Sequence, residues 1–333
     1  MQRFFDVALR LWQDTGFLNF QNEIIHAAYE SLGQAYAASE NEVAIVTRLV
    51  NSVNGKSYDK VQISANKIHG SRSYVEFNFR DKPTTKELGD MAAISLVTAG
   101  KTRLLQRVCI IQNKKVKDRK WGLDPEQLFL LKNFPPFTGN RGIFRGMHDL
   151  VFPNRSGCLG AFGLISEPGE MMFMSAPVVA EFLRDRASLP ACDIGLSTSV
   201  QQSGWQSFHP SGCLPFPPFD PDELYFILRE ALHRIGPFPW RGFGFDLPFL
   251  GNVNYGRDIY DFVRAWTQMN IGEFTCWNGA IINAEVDAFA NHLIHSAGLG
   301  RGIDFPTDSR YVERKFEGDM AVLLLRVNVE YKG

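Results

Sequence analysis

Residues 89–97 and 104–114 constrain this chain most, because they read as two consecutive strands that are apolar on both faces. In the first, Ala92, Ile94 and Leu96 project to one side while Met91, Ala93 and Val97 project to the other. Strands of that kind need a covering layer above and below, so they belong inside a sheet flanked by helices. Ala99, Gly100 and Lys101 lie between them and suit a turn, which makes the pair an antiparallel hairpin.

The polar residues of this hairpin gather at its open end. Asp90 opens the first strand, and Gln112 and Lys114 close the second. Charge at the rim of an apolar sheet is costly unless it is paired or used. Gln112 and Lys114 are two apart and therefore share a face. A turn centred on Lys101 pairs residues whose numbers sum to an even value, and that register sets Asp90 opposite Gln112. A slip of one residue would send Asp90 to the other face. In the expected register a carboxylate, an amide oxygen and an ammonium converge. The two oxygens are hard ligands suited to Mg2+ or Mn2+. A cation held there polarises a phosphate and favours hydroxide on its bound water. An ammonium such as Lys114 orients that water and offsets charge developing in the transition state. Phosphodiester hydrolysis is the chemistry this trio suits, and a second carboxylate would complete the cation's shell.

Around the hairpin the periodicity changes twice. The first fifty or so residues are helical in spacing, with Phe4, Phe5, Ala8, Leu9 and Trp12, then Ile24, Ile25, Ala28, Leu32 and Tyr36. A third helix starts near Glu40 and ends before Asn54-Gly55. Residues 74–79 suit a strand that Pro83, Thr84 and Thr85 break. Past the hairpin, Asp124 and Pro125 open a helix as N-cap and first residue, and Pro135-Pro136 stop it. A strand follows at 158–165. The expected class is α+β: a central mixed sheet with helices on both faces.

Asp90 followed by Gln112-x-Lys114 on the next strand resembles the PD-(D/E)xK, or restriction-endonuclease-like, nuclease superfamily. That family's core runs α-β-β-β-α-β, and the order above follows it over roughly residues 19–165. The resemblance implies that Asp90 and Gln112 hold a metal ion and that Lys114 is the catalytic lysine. It also implies that a glutamate of the first core helix joins them. Glu23 fits that place, and Glu87 competes with it. The sequence departs from the family pattern at Gln112, where an acid is commoner, and at Gly89, where proline is commoner. The function implied is a Mg2+-dependent nuclease acting on DNA, with bacterial restriction or antiviral defence as the setting. The Gln112 departure leaves open a catalytically inactive, nucleic-acid-binding scaffold on the same core.

The dense basic run 114–120 is either a solvated loop or a phosphate-contacting rim. Lys115, Lys117, Arg119 and Lys120 in this run, and Lys101 before it, are the candidates for nucleic-acid contact, with Arg103 and Arg107 also preceding the run. His292-x-x-His295 lacks a third ligand and reads as a structural pair rather than a zinc site.

Beyond about residue 165 the pattern blurs into a mixed α/β lobe for substrate selection or assembly, or into a continuation of the core. Helices fit 221–235, 258–269 and 284–295, and a strand fits 320–329. The stretch 236–251 is rich in aromatics and suits stacking on bases or, more readily, packing against the domain, a partner subunit or a second copy. A protein-interaction module working through Phe243 and Phe245 is therefore a rival from another class. The net charge of -1 gives no global basic field, so nucleic acid would have to be held by local patches. Five dispersed cysteines (Cys109, Cys158, Cys192, Cys213 and Cys276) exclude a disulfide framework and a zinc ribbon. Neither a signal peptide nor a membrane span is expected, and reduced thiols fit a cytoplasmic setting.

Overall fold

The computed structural model describes residues 11–68, 73–115, 121–152, 158–166, 170–184, 192–194, 255–256, 258–277, 279–301 and 319–329. Two helices come first, α1 (Thr15–Ala37) and α2 (Glu42–Val53). Each starts at an acceptor side chain: Asp14 takes the Phe17 amide and Asn41 takes the Ala44 amide. Their apolar stripes, including Ile24, Ala28 and Leu32 on α1 and Ile45, Leu49 and Val53 on α2, are buried.

Strands β1 (Ser57–Tyr58) and β2 (Val61–Ile68) follow. The alternation of Val61, Ile63 and Ala65 with polar residues marks β2 as a half-buried strand, an element beyond those expected from sequence. Next come β3 (Tyr74–Phe79), β4 (Lys82–Glu87), β5 (Met91–Ala99), β6 (Thr102–Lys115) and β7 (Trp121–Leu123). Helix α3 (Pro125–Asn133) begins at Asp124 with Pro125 in its first turn, as expected. It ends at Phe134, whose φ of 38° turns the chain before Pro135.

The rest comprises β8 (Phe137–Gly139), β9 (Gly160–Ser166), β10 (Glu170–Ser175), α4 (Ala176–Arg184), β11 (Cys192–Ile194) and β12 (Tyr255–Gly256). Then follow α5 (Ile259–Thr267), β13 (Glu273–Trp277), β14 (Ala280–Ile281), α6 (Ala284–Ser296) and β15 (Met320–Asn328). The helix expected at 221–235 and the aromatic stretch 236–251 lie outside the described residues. No helix among the described residues is long and apolar enough to cross a membrane.

The protein is mixed α+β, built on a ten-stranded mixed sheet whose main path is β1-β2-β15-β5-β6-β9-β10-β12. Strands β5 and β6 form the expected antiparallel hairpin, and β9 lies parallel to β6 after the crossover through α3. Both faces of β5 are covered. Ala92, Ile94, Leu96, Val108 and Ile110 join one apolar cluster, and Met91, Ala93, Val97, Cys109 and Ile111 join the other.

Two expectations need correction. The strand at residues 74–79 is not the first strand of this sheet. It sits with β4 and β8 in a separate three-stranded sheet. Pro83 does not end the pairing either: it lies within β4, opposite Asn78, on the edge strand of that small sheet. An edge tolerates proline because no neighbour there needs its missing N–H. Arg80 and Asp81 both take positive φ and make the tight turn between β3 and β4 without the usual glycine.

Strand β15 inserts between β2 and β5, antiparallel to the first and parallel to the second. Residues on both sides of position 165 thus share one sheet, the continuity that the sequence left open.

Candidate functional site

The register of β5 and β6 keeps paired residue numbers at an even sum from Met91↔Ile111 to Val97↔Leu105, and shifts by one only at the turn. One step beyond the first pair, Asp90 comes beside Gln112. Its backbone is tied on both sides, through its N–H to the Ile111 carbonyl and through its carbonyl to the Ala321 N–H. Gly89 passes so close to β6 that a Cβ there would lie 2.7 Å from the Ile110 side chain. Glycine is what that approach requires.

Asp90 Oδ2 accepts hydrogen bonds from the Asn113 backbone N–H, at 2.7 Å, and from Gln112 Nε2. Gln112 is 2% exposed and its Oε1 accepts from Gln127 Nε2 on α3. Burial pushes the Asp90 carboxyl up to about 6 against the pull of these donors. The Lys114 ammonium lowers it and the Glu42 carboxylate raises it, so both charges act on Asp90.

Glu42, which is not among the expected site residues, joins the candidate site. It is the first residue of α2, and its Oε1 accepts the Lys115 backbone N–H at 2.8 Å. Strand β6 runs four residues past its last pairing with β5 at Ile111, so its N–H groups on that edge have no strand partner. Asp90 and Glu42 take two alternate ones, Asn113 N and Lys115 N. The signal available in sequence was weak: an acid just after the Asn41 cap is ordinary for a helix start.

The other expected site residues are placed as follows. Glu23 pairs with Lys56, and its side chain is 63% exposed. Glu87 ends β4, and its backbone carbonyl accepts from Gln127 Nε2 at 3.1 Å. Lys115 turns toward the helices, with Nζ 2.9 Å from the Glu40 carbonyl and over the Tyr36 ring. Lys101 lies at the turn, eleven residues and therefore about 36 Å along the hairpin from Asp90. Lys117, Arg119 and Lys120 lie outside the described residues, as do Phe243 and Phe245.

Arg103 and Arg107 do not form a rim. Arg103 is buried against Asp287, at 2.8 and 2.9 Å, and Arg107 donates to the Met269 and Gly272 carbonyls beneath the Phe274 ring. His292 Nε2 meets the Ile143 carbonyl and His295 Nδ1 the Asn291 carbonyl, in keeping with a structural pair.

Among the described residues no group of three or more His, Cys, Asp or Glu is assembled for a metal ion. The donors present are nevertheless of the right kind for a hard cation. Among the described residues, Asp90 Oδ1 and Glu42 Oε2 accept no hydrogen bond, while the partner oxygen of each is held by a strand amide. Two carboxylates with water filling the remaining positions suit Mg2+, which keeps several waters. Comparison with known proteins gave no match to a family model, a curated protein or a solved structure.

Proposed function

We propose that this chain is a metal-dependent nuclease of the PD-(D/E)xK type that hydrolyses phosphodiester bonds in DNA. One observation carries the reading: Asp90 and Gln112 meet at the open end of a hairpin buried on both faces, with the charges of Lys114 and Glu42 acting on Asp90. In this reading Asp90 and Glu42 bind Mg2+ or Mn2+ through their open oxygens, with Gln112 as the third member of the site. The cation supplies Lewis-acid polarisation of the phosphate and a hydroxide at neutral pH.

The residues of the chain do the rest. Asp90 and Glu42 are held by amides of β6, so their free oxygens are oriented before any ligand arrives. Lys114 contributes positive charge at Asp90, and an ammonium there offsets charge developing on the phosphate. Above pH of about 6 Asp90 is ionised and able to hold a cation.

Incubation of purified protein with plasmid, linear and single-stranded DNA, with Mg2+ or Mn2+ and with EDTA, tests the reading. Cleavage that EDTA abolishes supports it, and DNA left intact under every condition refutes it. One observation favours a second reading, a nuclease-like scaffold that binds nucleic acid without cutting: Gln112 turns its amide nitrogen, not its oxygen, toward Asp90. DNA binding that is unaffected by EDTA, with no cleavage, would select that scaffold.

A further inference from the structure

The direction of the Gln112 amide is not set by Gln112. The oxygen and nitrogen of a side-chain amide have nearly the same shape, so their placement must follow from hydrogen-bond partners. The fixed partner here is the Glu87 backbone carbonyl, which can only accept. Gln127 Nε2 donates to it at 3.1 Å, and that contact decides which end of the Gln127 amide faces the site. The same nitrogen then donates to Gln112, so Gln112 must present Oε1 to Gln127. Its Nε2 is left to face Asp90 Oδ2. Glu87 carbonyl, Gln127, Gln112 and Asp90 thus form one polarised chain, in a site where Gln112 and Gln127 are 2% and 6% exposed.

Gln127 has a local alternative that it does not use. It stands three residues after the Asp124 cap, the spacing at which a glutamine reaches back to the cap's own N–H. Its side-chain bonds go instead to Glu87 and Gln112. The helix start is already held by Asp124, which accepts from the Glu126 and Gln127 amides.

We propose that Gln127 is a positioning residue: anchored on the Glu87 carbonyl, it directs the Gln112 amide so that Asp90 meets nitrogen in the cation-free protein. In its consequence for the cation this rests on the nuclease reading. If Gln112 is to give its oxygen to an ion shared with Asp90, its amide must turn over. Its nitrogen would then confront the Gln127 nitrogen, donor against donor. Turning Gln127 as well would set its oxygen against the Glu87 carbonyl. The chain therefore opposes cation entry, and loosening it at Gln127 favours entry.

The test uses full-length protein labelled with [15N]glutamine, wild type and the variants Gln127→Met and Gln127→Glu, each checked by thermal melting. In the cation-free wild type, the Gln112 side-chain amide protons and the Asn113 backbone amide proton share Asp90 Oδ2, so an NOE between them is expected. Gln127→Glu offers Gln112 an acceptor and should abolish that NOE, and Gln127→Met should weaken it. Titration with Mn2+ alone should show the Gln127→Met protein binding about fivefold more tightly, the equivalent of one neutral hydrogen bond of about 1 kcal/mol. A merely structural role would loosen binding in both variants. The NOE persisting in both variants would overturn the proposal, because Gln112 would then be directed from elsewhere. Weaker Mn2+ binding by Gln127→Met would overturn it as well. Wild-type protein that shows the NOE yet neither binds Mn2+ nor cleaves DNA would uphold the role of Gln127 and refute the nuclease reading.

Discussion

Asp90 and Glu42, forty-eight positions apart, accept hydrogen bonds from alternate amides of a single strand, Asn113 N and Lys115 N. Alternate amides of a strand lie about 6.6 Å apart. The tail of β6, paired with β9 on one edge but past its last pairing with β5 on the other, thereby aligns two acids that arrive from different layers of the fold.

The acid at position 90 and the lysine at position 114 carry the proposed chemistry. Asp90→Ala and Lys114→Ala should each lower Mg2+-dependent DNA cleavage by about 100-fold or more. Their far-ultraviolet circular dichroism should stay that of the parent. Plasmid nicking assays at saturating Mg2+ check this, and undiminished cleavage by the Asp90 variant would sink the assignment.

Two glutamates can be told apart by the cation each variant needs. Glu42→Gln keeps an acceptor for the Lys115 amide but removes a charge, so cleavage should require a several-fold higher Mg2+ concentration. Glu23→Gln should leave the requirement unchanged, since Glu23 pairs with Lys56 on an exposed surface. Mg2+ titrations of the cleavage rate decide the matter, and the reverse pattern would return the role to Glu23.

Burial of Asp90 makes a prediction about stability. Its carboxyl is raised from 3.8 to about 6 in the folded protein, so the folded state holds its proton more tightly than the unfolded state. The stabilisation from that proton is complete below pH of about 4 and is lost as pH rises through about 6. Asp90→Asn removes the charge and keeps an oxygen for both donors. The variant should therefore be more stable than the parent at pH 8, by up to about 3 kcal/mol, with the gap closing near pH 4. Urea unfolding at several pH values measures this, and a gap that does not change with pH would contradict it.

The Arg103–Asp287 pair is a structural counterpart, in which Asp287 also accepts from Gln106 and Thr275. Asp287→Ala should destabilise the fold by about 3–5 kcal/mol, because it strands a buried guanidinium. Denaturant unfolding should register that loss, and a change below about 1 kcal/mol would show that water reaches Arg103.

Much of the site was legible in sequence because its determinants are local. The two-sided apolar strands and the short connection follow from a period of two and the Gly100-Lys101 turn, while the even-sum pairing depends on the register shift between Val97 and Thr98, since the turn itself pairs Ala99 with Thr102. That shift is what brings Asp90 beside Gln112. Helix α3 was legible too, from Asp124 and Pro125 at its start. The β3–β4 hairpin was not, since its Arg80-Asp81 turn lacks the usual residues and Pro83 argued against a strand.

What the sequence by itself determined, then, is a buried hairpin with an acid, an amide and a lysine at one end. Only the tertiary structure decided that β15 lies between β2 and β5, that Glu42 rather than Glu23 acts on Asp90, and that the Glu87 carbonyl orients Gln112 through Gln127. These outcomes join residues from separate stretches of chain. Periodicity and capping act over a few neighbours, whereas an acid's partner or an amide's direction is set by whatever the packed layers bring against it.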